Sequence, residues 1–231
     1  MNGRALARPA LALLALALLG GANDAKNPTC PAEPDWGAAR AMTVTARTVN
    51  GIHVLVADGI IDAGLPARLK AAIEHQPDAE IWIRSRGGDA HAGNEAGKVI
   101  RSFPDMVTRI PTGWTCFSAC NFVFMGGRYR FVDPDGVFMV HMFTHTGDRE
   151  TIQLAAEEGT AETVKLIAEI EQSSALLATE DNDFLIRMGV SRDLLTQVMY
   201  KQQAVGTDEN PSTRYCLSQD EVHKYNVANA S

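Results

Sequence analysis

In the stretch TGWTCFSACNFVFMGG, Thr112 to Gly127, Ser118 stands between Cys116 and Cys120 and is followed by large apolar residues. A serine ahead of a buried helix has two uses. It caps the helix by accepting a bond from a backbone N–H, or it is a nucleophile whose proton a neighbouring base removes. A base is available downstream, because His141 closes the apolar strand pattern GVFMVH. A histidine there is either a satisfied core residue or a general base. Upstream, RSRGGDAHAG puts Gly87 and Gly88 directly after a short apolar run. Glycine lets backbone approach a ligand closely, so the Gly88 amide is a candidate oxyanion donor, and the Ala119 amide beside Ser118 is a second. Nucleophile, base and two N–H donors are the parts that acyl transfer requires.

These residues need elements that bring them together. MTVTARTVNGIHVLVADGII alternates and carries an Asn50-Gly51 turn, which predicts a hairpin. LPARLKAAIEHQ places Leu65, Leu69, Ala72 and Ile73 at helical spacing and stops before Pro77. AEIWIRS reads as a strand, GGDAHAGNEAGKVIRSF as a glycine turn running into a helix, and DMVTRIPTG as another strand. Ser118 to Met125 predicts a buried helix, and RYRFVDPDGVFMVHMF two strands joined by the Asp133 to Gly136 turn. Strand, glycine turn and helix in repetition predict an α/β fold with a parallel sheet covered by crossover helices. Glu150 to Glu171 and Ser173 to Tyr200 show long helical patterning, followed by a polar loop and the closing segment YCLSQDEVHKYNV. The expected division is a signal segment over 1–25, an α/β core over 26–149, a helical appendage over 150–205 and a closing segment over 206–231.

The first stretch pairs Arg4 and Arg8 with the apolar run PALALLALALLGG and then small and polar residues, the three regions of a secretory signal. Its apolar core is short for a bilayer span, and an uncleaved anchor is the alternative. No cysteine follows it directly, which argues against a lipidated N-terminus. The expectation is a periplasmic or secreted protein, with no membrane contact after cleavage. A formal net charge of −7 at pH 7, with no cluster of Lys and Arg in the sequence, argues against a nucleic-acid partner. Cys30, Cys116, Cys120 and Cys216 make an even count that in an oxidising compartment reads as disulfides. Four thiolates as a zinc site is the rival, but no CxxC pair is present. His141 and His145 have ligand spacing only on a helix, and the segment reads as strand, so no metal or cofactor is expected.

The order and spacing of these motifs resemble the proteolytic subunit of Clp proteases and, more closely, the exported ClpP-like proteins of bacteria, within the ClpP/crotonase superfamily. IRSRGGDAHAG resembles the family's strand and SPGG turn, CFSACNFVFMGG its nucleophile helix, which reads AASMG in the protease, and GVFMVH the strand that ends in its histidine. The likeness covers Gly51 to Phe143 well and is loose beyond, where RYCLSQDEVHKYNV is similar to the family's closing segment. It implies a core of repeated strand–strand–helix units. It also implies Ser118 as nucleophile, His141 as general base, Gly88 and Ala119 as oxyanion amides, and a helical handle through which copies associate. Three positions depart from the pattern. Ser212, Thr213 and Arg214 occupy the region of the orienting aspartate, and Asp208 and Glu209 lie a few residues earlier. Cys120 replaces a glycine, and Arg86 the proline of SPGG.

The resemblance implies an exported serine hydrolase acting on peptides or proteins. A non-catalytic relative binding peptides or proteins in the same cleft is the alternative, favoured by the missing aspartate. A crotonase-type acyl-thioester enzyme fits less well, because Ser118 and His141 match the protease branch. On a helix start, four-residue spacing brings Cys116 and Cys120 within disulfide range, and the terminal segments would bring Cys30 to Cys216. The rival pairing joins Cys116 or Cys120 to Cys216, and free buried thiols remain a third reading.

Overall fold

Asn50 and Gly51 both take positive φ, the geometry of the tight turn that joins twisted antiparallel strands. They connect β1 (Thr43–Val49) to β2 (Ile52–Asp58) in the expected hairpin. The computed structural model of the chain describes residues 22–230. The signal segment read from 1–25 therefore lies outside the described residues except for Ala22 to Ala25.

After β2, α1 (Leu65–His75) opens with Pro66 in its first turn and buries Leu65, Leu69 and Ile73. Then follow β3 (Glu80–Arg84), α2 (Ala90–Ser102), β4 (Val107–Ile110), β5 (Thr115–Phe117), α3 (Cys120–Met125), β6 (Tyr129–Val132) and β7 (Val137–Val140). The larger sheet runs β1-β2-β3-β4-β6, and β2, β3, β4 and β6 are mutually parallel. The architecture is α/β, built from strand–strand–helix units with a helical appendage towards the C-terminus.

Two details lie beyond the sequence expectation. The two strands β6 and β7 are joined by the Asp133 to Gly136 turn as expected, but belong to different sheets. β6 completes the large sheet, whereas β7 lies between β5 and β8 (Tyr215–Cys216) in a smaller one. The three-residue β5 itself escaped detection, being too short for alternation to register. It joins the layers through a bridge between Ser85, just past β3, and Cys116.

The helices pack closely because their contact faces are small. Gly93 abuts Ala119, and a Cβ at Gly97 would sit 2.7 Å from the Phe184 ring. The appendage is α4 (Arg149–Glu158) and α5 (Thr160–Met188), separated at Gly159 with φ 110°. The sequence placed that break near Gln172. Helix α5 runs through it unbroken, and the Ser173 hydroxyl donates to the Ile170 carbonyl alongside the helix. Gly189, in the left-handed region, ends α5. The closing segment forms β8 and α6 (Gln219–Lys224), the latter started by a reciprocal Ser218–Glu221 cap.

Arg130, 1 % exposed, holds these parts together. Its guanidinium donates to the carbonyls of Val227 at 2.8 Å, Asn226 at 2.8 Å and Gly127 at 2.9 Å. Burial first, then the charge of Arg101, bring its pKa down to about 10, so it stays a cation at neutral pH. Disulfides join Cys30 to Cys216 and Cys116 to Cys120. Two such bonds fit an oxidising compartment. Among the described residues no helix is long and apolar enough to cross a membrane, and no cluster of ligating side chains could hold a metal ion.

Candidate active site

Parallel strands deliver their carboxyl ends to one edge, where backbone groups are free to face a ligand. Here β5 and β7 pair in register Phe117 with Met139. Ser118 follows one residue beyond that pair and His141 two. The side chains meet, with Ser118 Oγ 2.7 Å from His141 Nε2. The third strand end is β3, whose Gly-Gly turn lies against the serine, for a Cβ on Gly87 would come 2.7 Å from Ser118 Cβ.

The backbone at Ser118 differs from the expectation of a helix start. Helix α3 begins at Cys120 with Ala119 at its cap position, and no side chain caps it. Ser118 sits before it at φ 61°, in the left-handed region. For a non-glycine residue this costs roughly 1–2 kcal/mol and persists only where the surroundings fix it. The surroundings do so covalently. The Cys116–Cys120 bond spans from strand to helix with Cα atoms 5.3 Å apart, closing the turn that carries the serine. The sequence argument for this bond assumed helical spacing. The chain instead achieves the approach through a sharp strand-to-helix turn, and the hydroxyl stands at its apex rather than in a cap.

Two buried polar residues that the sequence reading passed over set the geometry. Asn121, fully buried, donates from Nδ2 to the Met139 carbonyl at 2.8 Å, tying α3 to the strand that carries His141. Ser85, also fully buried, accepts from the Gly87 amide at 3.0 Å and donates to the Gly59 carbonyl, which shapes the Gly-Gly turn. For Asn121 the only signal was a polar residue beside an apolar run, and for Ser85, set between Arg84 and Arg86, there was none. Gly88 has φ 146°, and a side chain there would collide with the Ile61 carbonyl, so only glycine fits. Among the described residues neither the Gly88 nor the Ala119 amide donates to a protein acceptor. Both sit beside the Ser118 turn.

His141 is largely buried, and its ring packs on Phe117 with centroids 4.7 Å apart. Burial pushes its pKa below the usual imidazole value of 6.5, a backbone bond with Met142 opposes this, and the charge of Arg214 pushes further down. Arg214 lies over the Phe117 ring at 5.9 Å and the Trp36 ring at 5.8 Å. The region where the family resemblance places an aspartate thus presents a cation to the histidine. That backbone is held by the buried Asn27, whose Oδ1 accepts from the Thr213 amide at 3.0 Å and the Arg214 amide at 2.9 Å. Asp208 and Glu209 are exposed and make no hydrogen bond or ion pair among the described residues. His145 bonds to Asp148, just before α4, and to Ser173 on α5.

No family model matches the chain, and no curated protein matches it. Among solved structures, the chain is similar to a ClpP1 mutant from Listeria monocytogenes at 16% identity, covering 74% of this chain and 85% of that chain with a TM-score of 0.49.

Proposed function

We propose that the protein is an exported serine hydrolase, a peptidase, in which Ser118 is the nucleophile and His141 the general base. The observation that carries this reading is the 2.7 Å contact between Ser118 Oγ and His141 Nε2, made by a serine held at the apex of a strand-to-helix turn. With the imidazole neutral, Nε2 takes the hydroxyl proton as Oγ attacks the substrate carbonyl. The Gly88 and Ala119 amides, which have no acceptor among the described residues, receive the oxyanion. The imidazolium then gives its proton to the leaving amine, and water hydrolyses the acyl-enzyme by the same route reversed.

The pair works as a dyad, slower than a triad because among the described residues no carboxylate bonds to His141 to stabilise the imidazolium. The two disulfides support an extracytoplasmic setting, periplasmic or secreted. No cofactor takes part, and the partner is a peptide or protein substrate together with further copies of the chain.

A second reading has one observation of its own. Arg214, a cation where an orienting anion would serve catalysis, fits a protein that binds peptides in this cleft without cleaving them. A fluorophosphonate probe separates the two. The hydrolase reading expects a covalent adduct at Ser118, lost in Ser118→Ala and slowed at least tenfold in His141→Ala. An unlabelled Ser118 in folded protein would leave the binding reading standing.

A further inference from the structure

The cavity beside the serine holds a group that the proposed chemistry does not use. About 30 Å³ in volume, it is lined by Ser118, Ala119 and His141 together with Phe122, Asp181 and Tyr200. Asp181, on α5, is 5 % exposed, and among the described residues no cation pairs with it. Its neighbour Asn94, on α2, is 1 % exposed, and both its Oδ1 and Nδ2 lack a hydrogen-bond partner of ordinary geometry. A buried carboxylate costs several kcal/mol unless something compensates it, so an unpaired one opening onto a nucleophile's cavity calls for a partner from outside.

We propose that Asp181 determines the specificity of this cleft by receiving the ammonium group of an amine-bearing substrate beside Ser118. The inference rests on the hydrolase reading only in calling the ligand a substrate.

Several features select this chemistry. The carboxylate is acceptor-only when charged, and the cavity is lined by the aromatic Phe122 and Tyr200, residue types that attract cations. Burial pushes the Asp181 carboxyl up to about 7, with the charge of Glu180 acting the same way and the Asn94 amide opposing. An incoming cation would reverse that cost. The volume admits a group the size of water, as an ammonium is, and a compact ammonium enters more readily than the broader guanidinium fork. Alongside, an apolar groove of about 450 Å³ lined by Met142, Phe143, Leu177, Ala178 and Tyr200 shares Phe143, Leu177 and Tyr200 with the cavity. It suits the methylene stem or the neighbouring residue of such a substrate.

Among the described residues Asp181 makes no hydrogen bond to His141, whose Nε2 meets Ser118 Oγ, so it is not the group that orients the histidine.

An ammonium reaches the cavity from a lysine side chain or from a free N-terminus. Calorimetric titration of the Ser118→Ala protein at pH 7.5 distinguishes them. The probes are Nα-acetyl-lysine amide, norleucine amide, Nα-acetyl-norleucine amide and Nα-acetyl-arginine amide. One of the first two should bind at least tenfold more tightly than the last two, and its identity names the source. Asp181→Asn in the same background should abolish the preference, and Asp181→Glu should keep part of it. Equal or undetectable binding of all four overturns the inference, as does a preference that survives Asp181→Asn. Should Asp181→Asn not fold, the comparison of the four probes on the protein retaining Asp181 decides alone. Because the titrated protein lacks the nucleophile, amine selectivity without serine labelling would remove the hydrolase reading and keep the amine site. Labelling without selectivity would do the reverse.

Discussion

Ser118 is held in a backbone conformation that serine does not choose, and His141 in surroundings that disfavour its charged form. For the proposed hydrolase the two act differently: the turn presents the hydroxyl to the imidazole, while the surroundings of His141 keep the ring neutral at rest and make the imidazolium formed on attack more costly. A neutral imidazole accepts a proton, and burial together with Arg214 extends the pH range over which it is neutral. The sign is therefore fixed. The folded value lies below 6.5, so kcat/KM rises as pH climbs through it, and the acid limb on a peptide ester falls below 6.5. Arg214→Gln removes a charge that lowers the value, so the limb should move up towards that of free imidazole. A limb unmoved by this substitution would mean that Arg214 has no electrostatic hold on His141. The serine, the histidine and the glycine turn were legible because each residue type is unusual in its local pattern. What Arg214 and Asp181 face was not. An arginine in a polar loop reads as solvated, and an aspartate on an acidic helix reads as surface, because periodicity carries no information on what packs over it.

At the scale of elements, the strands and first helices follow their patterns, and the misreadings have local causes. The sequence near Gln172 is polar enough to suggest a break, but glutamine and serine are tolerated in a helix, whereas Gly159 is not favoured there. Sheet membership of β6 and β7 depends on partners far along the chain, which no local pattern reports. The resulting α5 has 29 residues and is about 43 Å long at 1.5 Å per residue, yet its buried residues begin only at Asp181. Helix α4 buries nothing, and Leu154, Val164, Ile167 and Leu176 are each at least half exposed. So much apolar surface on protruding helices fits association of copies through this hairpin. Light scattering on the folded protein should give a mass of two or more chains, and Leu154→Glu with Ile167→Glu should weaken association at least tenfold. A strict monomer at high concentration would refute it.

At the scale of the whole molecule, the two disulfides divide the labour of holding the chain and holding the site. The Cys30–Cys216 bond closes a separation of 186 residues and fastens the N-terminal arm along β8, where Thr29 also accepts from the Cys216 amide at 3.0 Å. By loop entropy such a bond contributes about 5 kcal/mol, against about 2 kcal/mol for a four-residue loop. The Cys116–Cys120 bond, of separation 4, therefore adds less to global stability while enclosing the strained turn at Ser118. Paired serine substitutions should separate the roles. Cys30→Ser with Cys216→Ser should lower Tm by ~10 °C or more, at roughly 2–4 °C per kcal/mol for a chain of this size. Cys116→Ser with Cys120→Ser should lower Tm by about half as much and reduce the rate of Ser118 acylation at least tenfold, because the left-handed turn then relaxes towards ordinary helix entry. Unfolding curves and labelling rates on the same preparations supply both numbers. Equal losses of Tm, with acylation untouched by opening the short loop, would show that the two cysteines brace the fold and that the serine's conformation is fixed by packing against Gly87 alone.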